Sequence, residues 1–288
     1  MFVNKKVIAL GFFDGVHLGH AALLRRTVEE AKTRGVISAV FTFDRVPKEV
    51  ITGVPCPMIN SPTERINLLR KLYGIQEVIM VPFDDEMRTT AWDKFVTEIL
   101  EKRYHAVHLV AGHDHHFGYR NQGSPELLRK KCAEMGIGCD IIPKVEMGDT
   151  VVSSTHIRKL LGAGKIESAN QFLGHPHILT VCCGSQTKYT IGVPTIELIP
   201  TSPVLIPAFG VYATQMILSN QTRHVAVVNI GSRTTQKEGS TLAIEAWIPD
   251  LRQDLRGETV QIEFNQSLRG HILFSMSELN KEYLSRHQ

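Results

Sequence analysis

The sequence predicts an α/β domain built on a parallel sheet, followed by a mainly antiparallel β-barrel domain. Up to about Gly174, strand patterns alternate with helical patterns, which favours a parallel sheet covered on both faces. After His175-Pro176-His177 the pattern changes to strands separated by short turns, which is typical of an antiparallel barrel or sandwich. We therefore predict two domains, 1–174 and 175–288, in a chain long enough for both.

The elements of the first domain follow from apolar runs and helix end signals. Apolar runs predict strands at Val7–Leu10, Ile37–Phe43, Glu77–Phe83, Ala106–Ala111 and Asp140–Val145. Helical patterns lie at Ala21–Arg34, Ser61–Tyr73, Thr90–Arg103 and Ser124–Gly136. Ser61 and Glu64 are spaced as a capping box, with Pro62 at the first helical position. This order places the carboxyl end of the first strand where such sheets bind ligands.

The second domain has strand patterns throughout. They lie at Ile178–Cys183, Gly210–Leu218, Arg223–Ile230, Thr241–Ile248 and Thr259–Phe264. Ser219-Asn220-Gln221 predicts a hairpin tip, and Ser277–Arg286 is the only helical pattern in this domain. Strands without intervening helices predict a barrel or sandwich here.

Composition indicates a soluble globular protein of the cytosol. Apolar residues make up 43% of the 288 residues, charged residues 21%, and the net charge is +3. Because this charge gives no general basic surface, we expect no nucleic-acid partner. Five cysteines without a Cys-x-x-Cys pair favour reduced thiols and a cytoplasmic location. We expect no membrane and no obligatory protein partner.

The stretch Gly11 to His20 is the most informative part of the sequence. His17 and His20 lie where the first predicted strand passes into a helix, with glycines around them. A helix N-terminus offers free N–H groups and a favourable dipole for an anion. Imidazoles at this place point to phosphate chemistry. A capping or core histidine is the alternative, and two histidines together favour function.

A second polar segment runs from Val152 to Arg158. Its hydroxyl groups stand at a predicted helix start, where they cap the helix or bind phosphate oxygens. Arg158, one turn further on, is suited to a polyphosphate. An ordinary N-cap explains this segment equally well.

Together, in this order, the two segments resemble the nucleotidylyltransferase superfamily, which pairs H-x-G-H with a later S-S/T-x-x-R. The longer form G-x-F-D-G-x-H-x-G-H resembles the FMN adenylyltransferase module of bacterial bifunctional riboflavin kinase/FAD synthetases. The resemblance implies a Rossmann-like fold and catalytic roles for His17, His20 and Arg158. It also implies a nucleotide site at Gly11, Phe13, Asp14, Gly15, Gly19, Ser153, Ser154 and Thr155.

The segment 112–118 is similar to the family's G-x-D-F-x-F-G segment, with His115 in place of the first phenylalanine. The resemblance implies flavin contacts from Asp114, His115, Phe117 and Gly118. The histidines of this segment also suggest a metal site. Neighbouring histidines point apart, however, and make a poor tetrahedral set, so we expect no protein-held metal here.

The second domain is similar to the family's riboflavin kinase barrel, for example at Pro207–Ala213. The kinase signature G-R-x-L-G-F-P-T-A-N is altered at residues 188–197, where Glu197 replaces the asparagine. In the family, the threonine and asparagine of this signature help to hold Mg-ATP. We therefore expect Thr195, Glu197 and Glu245 to form a degenerate kinase site. Glu245 matches the family's catalytic base, and a strand residue facing solvent is its alternative.

The resemblance implies an FMN adenylyltransferase that converts FMN and ATP into FAD and pyrophosphate, with Mg²⁺ carried by ATP and kinase activity lost or weak. A fully bifunctional enzyme is the nearest alternative. A non-catalytic flavin- or RNA-binding regulator is an alternative of another class. Adenylyltransferases for pantetheine phosphate or nicotinate mononucleotide rank lower, because they lack a flavokinase-like second domain.

Overall fold

The first part of the chain forms a parallel sheet with helices and the second a closed antiparallel barrel, which confirms the predicted fold class. The computed structural model describes residues 4–188, 195–235, 239–251 and 253–270. Contacts divide the chain into two compact units, Met1–Ser154 and Thr155–Gln288. The domain boundary after Gly174 stays a prediction.

The parallel sheet of the first unit has the strand order β3-β2-β1-β4-β5. Its strands are β1 (Lys6–Leu10), β2 (Ile37–Phe43), β3 (Glu77–Val81), β4 (Ala106–Gly112) and β5 (Gly138–Ile142). β1 pairs with β2 on one side and with β4 on the other, and its apolar side chains are buried. The strand order therefore changes direction at β1, and a crevice opens beyond its carboxyl end.

Helices connect these strands. In chain order they are α1 (Leu18–Arg34), α2 (Pro47–Thr52), α3 (Pro62–Tyr73), α4 (Asp85–Thr89), α5 (Trp92–Lys94) and α6 (Pro125–Met135). The capping box of Ser61 and Glu64 is present at the start of α3. α5 continues as a π-helical segment, Phe95–Arg103, which together with α5 covers most of the predicted helix Thr90–Arg103.

Two strands end earlier than the sequence predicts, each at a proline. β3 ends at Val81, before Pro82, and β5 ends at Ile142, before Pro143. A proline has no N–H to donate to the sheet, so an apolar run that includes one overstates the strand. α2 and α4 lack a long apolar period and were not predicted.

After a short hairpin, β6 (Glu146–Met147) and β7 (Thr150–Val151), the chain forms α7 (Ser154–Gly162) and α8 (Ile166–Leu173). The barrel strands are β8 (His177–Lys188), β9 (Thr195–Pro200), β10 (Gly210–Ile217), β11 (Arg223–Thr235), β12 (Gly239–Trp247) and β13 (Thr259–Gly270). They close in the order β10-β11-β12-β9-β8-β13.

The barrel contains one strand more than predicted. β9 begins within the altered kinase signature, which gave no strand prediction, and runs on to Pro200. The predicted tip at Ser219–Gln221 does join β10 to β11, and Gln221 has a positive φ of 68° there. The predicted helix Ser277–Arg286 lies outside the described residues. Within the described part of the chain, no helix is both long and apolar enough to cross a membrane.

Candidate active site

The loop after β1 makes a tight turn before α1. Phe13 and Val16 have positive φ values of 56° and 42°, and Gly15 has one of 82°. The N–H of Val16 donates to the carbonyl of Phe13 at 3.1 Å, and both side chains are buried. Positive φ is costly for bulky residues, so the surrounding packing must hold this backbone in place. Such conformations concentrate at functional sites.

The two predicted catalytic histidines lie side by side at the N-terminus of α1. His17 is the N-cap residue and is buried, while His20 stands in the first turn. Their rings stack with centroids 3.6 Å apart and planes 15° apart. Burial, followed by the nearby His17 and Arg65, lowers the pKa of His20 well below 6.5. His20 is therefore neutral at pH 7 in the protein without ligand.

Two residues at the start of the second motif, Val152 and Ser154, contact the same region. The Oγ of Ser154 donates to the carbonyl of Asp14 at 2.9 Å, across 140 positions of sequence. A Cβ atom at Gly19 would lie 2.8 Å from the carbonyl oxygen of Val152. Val152 and the first residue of α7 thus pack closely on the first turn of α1 and on the loop that precedes it. Arg158 lies one helical turn beyond Ser154 on α7, as the sequence predicts.

Asp14 supports the loop through its side chain as well. Its buried carboxylate accepts hydrogen bonds from the backbone N–H groups of Ile59 and Asn60, at 2.8 and 3.3 Å. This links the loop to the chain segment just before α3. Of the other predicted nucleotide contacts, Ser153 is half-buried and Thr155 is exposed.

A pocket of about 530 Å³ opens at the same edge of the sheet. It begins at Gly11 in the loop from Gly11 to His17, which we call the histidine loop. The walls of the pocket are largely apolar and aromatic. The apolar lining includes Leu10, Phe12, Phe41, Phe43, Phe83 and Phe95. Such a volume and lining suit a planar heteroaromatic ligand.

Three of the four predicted flavin contacts line this pocket: His115, Phe117 and Gly118. The fourth, Asp114, is exposed and is not among the lining residues. Gly118 is required by its surroundings, because it has a φ of 72° and a Cβ there would lie 2.5 Å from the backbone of Trp92.

Sequence reasoning missed Arg65, which is completely buried on α3. Its Nη1 donates to the carbonyl of Phe12 at 2.8 Å, and its Nη2 donates to the carbonyl of Phe43 at 2.5 Å. Its guanidinium also lies 4.4 Å from the ring centre of Phe12. Arg65 therefore links the chain at the carboxyl ends of β1 and β2, and residues at these ends line the pocket. An arginine among other charged residues of a helix gives no sequence signal for such a role.

In the barrel, the predicted kinase residues occupy neighbouring strands. Glu197 on β9 is directly opposite Glu245 on β12. Thr195 and Glu245 are both buried, so Glu245 is not a strand residue facing solvent. Residues 189–194 of the altered signature lie outside the described residues.

The contact between the histidine loop and the segment before α7, on a parallel sheet, places the first unit in the nucleotidylyltransferase class. The family model for FAD synthetase matches residues 2–156, and the one for riboflavin kinase matches residues 173–284. The chain therefore belongs to the FAD synthetase family, with a riboflavin kinase module as its second part.

Similar proteins span nearly the full length of this chain. A bifunctional riboflavin kinase/FMN adenylyltransferase of Listeria monocytogenes is 33% identical, over 94% of this chain and 86% of the relative. The protein of the same name in Bacillus subtilis is 29% identical, over 96% and 89%. A solved structure described as a macrolide-efflux protein from Streptococcus pneumoniae superposes with a TM-score of 0.83 at 27% identity, covering 98% of this chain and 92% of that one.

Proposed function

We propose that this chain transfers the adenylyl group of ATP to the phosphate of FMN, giving FAD and pyrophosphate. An oxygen of the FMN phosphate forms a bond to the α-phosphorus of ATP, and the bond to the β-phosphate oxygen breaks, so that pyrophosphate leaves. The contact between Ser154 and Asp14 carries this proposal, because it joins the start of the second motif to the loop that precedes α1. Such a transfer depends on positioning and charge stabilisation.

The residues of the loop have separate roles in this proposal. The N–H groups at the start of α1 bind phosphate oxygens, aided by the helix dipole. His17 and His20 donate hydrogen bonds where negative charge builds up on the transferring group. Arg158 and the hydroxyl groups of the segment 153–155 hold the departing pyrophosphate. Gly11 and Gly15 let the backbone approach the nucleotide.

The aromatic pocket holds the flavin ring. It starts at Gly11 and Phe12, directly beside the histidine loop, so a ring in the pocket can extend its phosphate towards α1. Its volume of about 530 Å³ lies within the usual range for small-molecule sites.

The described residues offer no group of three His, Cys, Asp or Glu side chains for a metal. The carboxylate of Asp14 is bonded to backbone N–H groups. We therefore assign Mg²⁺ to the phosphates of ATP, where it neutralises charge, in keeping with the usual preference of Mg²⁺ for phosphates and water.

The test is to incubate the purified full chain with FMN, ATP and Mg²⁺ and to measure the FAD that forms by chromatography. Wild type is expected to form FAD and pyrophosphate in equal amounts, and His17→Asn to lose about 100-fold in kcat/KM, as for loss of a transition-state donor. His105→Asn is the matched control, because His105 is exposed at the opposite edge of the sheet and its φ of 58° suits asparagine. No FAD from wild type, or an unchanged His17→Asn, contradicts the proposal.

For the second unit we propose a weakened riboflavin kinase. The support is the pairing of Glu197 with Glu245, which sets two carboxylates on directly opposite residues of adjacent strands. A second carboxylate repels the phosphates of ATP. The relatives are named for both activities, so full bifunctionality is the competing candidate.

Riboflavin supplied in place of FMN distinguishes the two candidates. We expect FMN formation at least 10-fold slower than FAD formation, and a gain of about 10-fold in Glu197→Asn from removal of one charge. Glu134→Asn is the control, because it removes one negative charge at an exposed position on α6, outside the barrel. Rapid phosphorylation of riboflavin by wild type, or no gain in Glu197→Asn, contradicts a kinase weakened by Glu197.

A further inference from the structure

The aromatic pocket contains one buried nitrogen that the fold does not use. The Nε2 atom of His115 is buried and has no hydrogen-bond partner among the described residues. The ring lies in the pocket wall and stacks on Phe117, with centroids 5.5 Å apart and planes 17° apart. The neighbouring His116, by contrast, contacts the carbonyl of Asp114 through Nδ1 at 3.0 Å.

A polar atom in an apolar wall costs stability unless something bonds to it. Burial lowers the pKa of His115 to about 4. The imidazole is therefore neutral at physiological pH, with one nitrogen that donates and one that accepts. Phenylalanine would keep the stacking on Phe117 without this cost. The presence of Nε2 in this wall therefore points to a ligand with a complementary polar atom.

We propose that Nε2 of His115 hydrogen-bonds to the polar, pyrimidine-like edge of the flavin ring, and that His115 thereby determines which planar ring the pocket accepts. This inference rests on the proposed function, since it concerns the same pocket. A flavin ring has one apolar edge and one edge with carbonyl and N–H groups. The apolar edge suits the phenylalanine walls, and the polar edge needs a partner such as Nε2.

A site that hydrogen-bonds its substrate discriminates strongly against analogues that lack the matching atom, because its own polar group is then left without a partner. His115 therefore acts on recognition of the ring. Its loss should raise Kd and KM for FMN and leave kcat nearly unchanged, since the reacting phosphate is elsewhere on the ligand.

The experiment compares wild type, His115→Phe and His115→Gln with FMN as the probe, by fluorescence quenching without ATP and by FAD synthesis with ATP. We expect Kd and KM for FMN to rise at least 10-fold in His115→Phe, with partial recovery in His115→Gln, whose amide restores a polar group. Methylation at N3 of the flavin, on its polar edge, should weaken binding to wild type far more than to His115→Phe. Thermal unfolding confirms that each variant is folded.

The outcomes separate this inference from the proposed function. If wild type makes FAD and His115→Phe binds FMN as tightly as wild type, the role of His115 is wrong and the function stands. If FMN binds in a His115-dependent manner and no FAD forms, the function is wrong and the role of His115 stands. A Kd unchanged by the substitution, or no FMN binding by wild type, overturns the inference. The inference is also overturned if methylation at N3 weakens flavin binding by the same factor in wild type and in His115→Phe.

Discussion

The imidazole rings of His17 and His20 stack face to face, 3.6 Å apart at their centroids. Two cations at this separation would repel each other strongly in a buried site. The lowered pKa of His20, caused first by burial and then by His17 and Arg65, agrees with a pair that carries at most one positive charge without ligand. Bound phosphates would favour protonation of the pair, so its charge is linked to the substrate.

The stacked histidines should act as a unit. We expect His17→Asn and His20→Asn each to lower kcat/KM for FAD synthesis by about 100-fold, and the double variant to lose little more than either single one. Steady-state kinetics on the three variants give the coupling directly. Losses that simply multiply would indicate two independent contacts.

Gly19 lies in the first turn of α1, where its surroundings leave no space for a side chain. A Cβ there would lie 2.8 Å from the carbonyl of Val152 and 2.9 Å from the ring of His17. We therefore expect Gly19→Ala to displace His17 and to lower kcat by at least 10-fold while the protein remains folded. FAD synthesis and circular dichroism measure both effects.

Gly162 provides the matched control for this change. It lies at the end of α7, and a Cβ there meets nothing within 4 Å. Gly162→Ala should leave activity unchanged and stabilise the protein by about 0.5–1 kcal/mol, as alanine does in helices. Equal activities of the two alanine variants would refute a steric role for Gly19.

Arg65 should prove essential for the pocket. Arg65→Met removes its hydrogen bonds to the carbonyls of Phe12 and Phe43 and leaves both groups without this partner. We expect a loss of about 2–4 kcal/mol in the free energy of unfolding, together with weaker FMN binding. Arg65→Lys should recover little, because one ammonium lacks the planar fork that serves two carbonyls. Arg70→Met, on the exposed face of the same helix, should be nearly neutral in urea unfolding.

The sequence was sufficient for the features that depend on local patterns. The β1-loop-α1 unit and the capping box at Ser61 follow from apolar period and turn chemistry, and the structure has them. Arg65 and the pairing of Glu197 with Glu245 depend instead on which strands become neighbours. No local pattern encodes that, so these features required the three-dimensional structure.

His177 makes the stability of the barrel depend on pH. Its ring is fully buried beside Phe264, and burial, followed by the charge of His175, lowers its pKa to about 4. In the unfolded chain a histidine titrates near pH 6.5. Between these two pH values the unfolded state binds more protons than the folded state, so stability falls as the pH falls. Above about pH 6.5 the contribution of His177 is fully present.

Replacing His177 should remove part of this dependence. We expect the free energy of unfolding to fall by up to about 3 kcal/mol from this residue alone as the pH drops from 6.5 to 4, and His177→Phe to show a shallower slope. Urea unfolding at half-unit pH steps measures both slopes. His224→Phe, at a less buried position on β11, is the control and should keep the wild-type slope. Identical slopes in wild type and His177→Phe would mean that the pKa of His177 is the same in the folded and the unfolded chain. The folded histidine would then titrate near pH 6.5, and water would reach its ring inside the barrel.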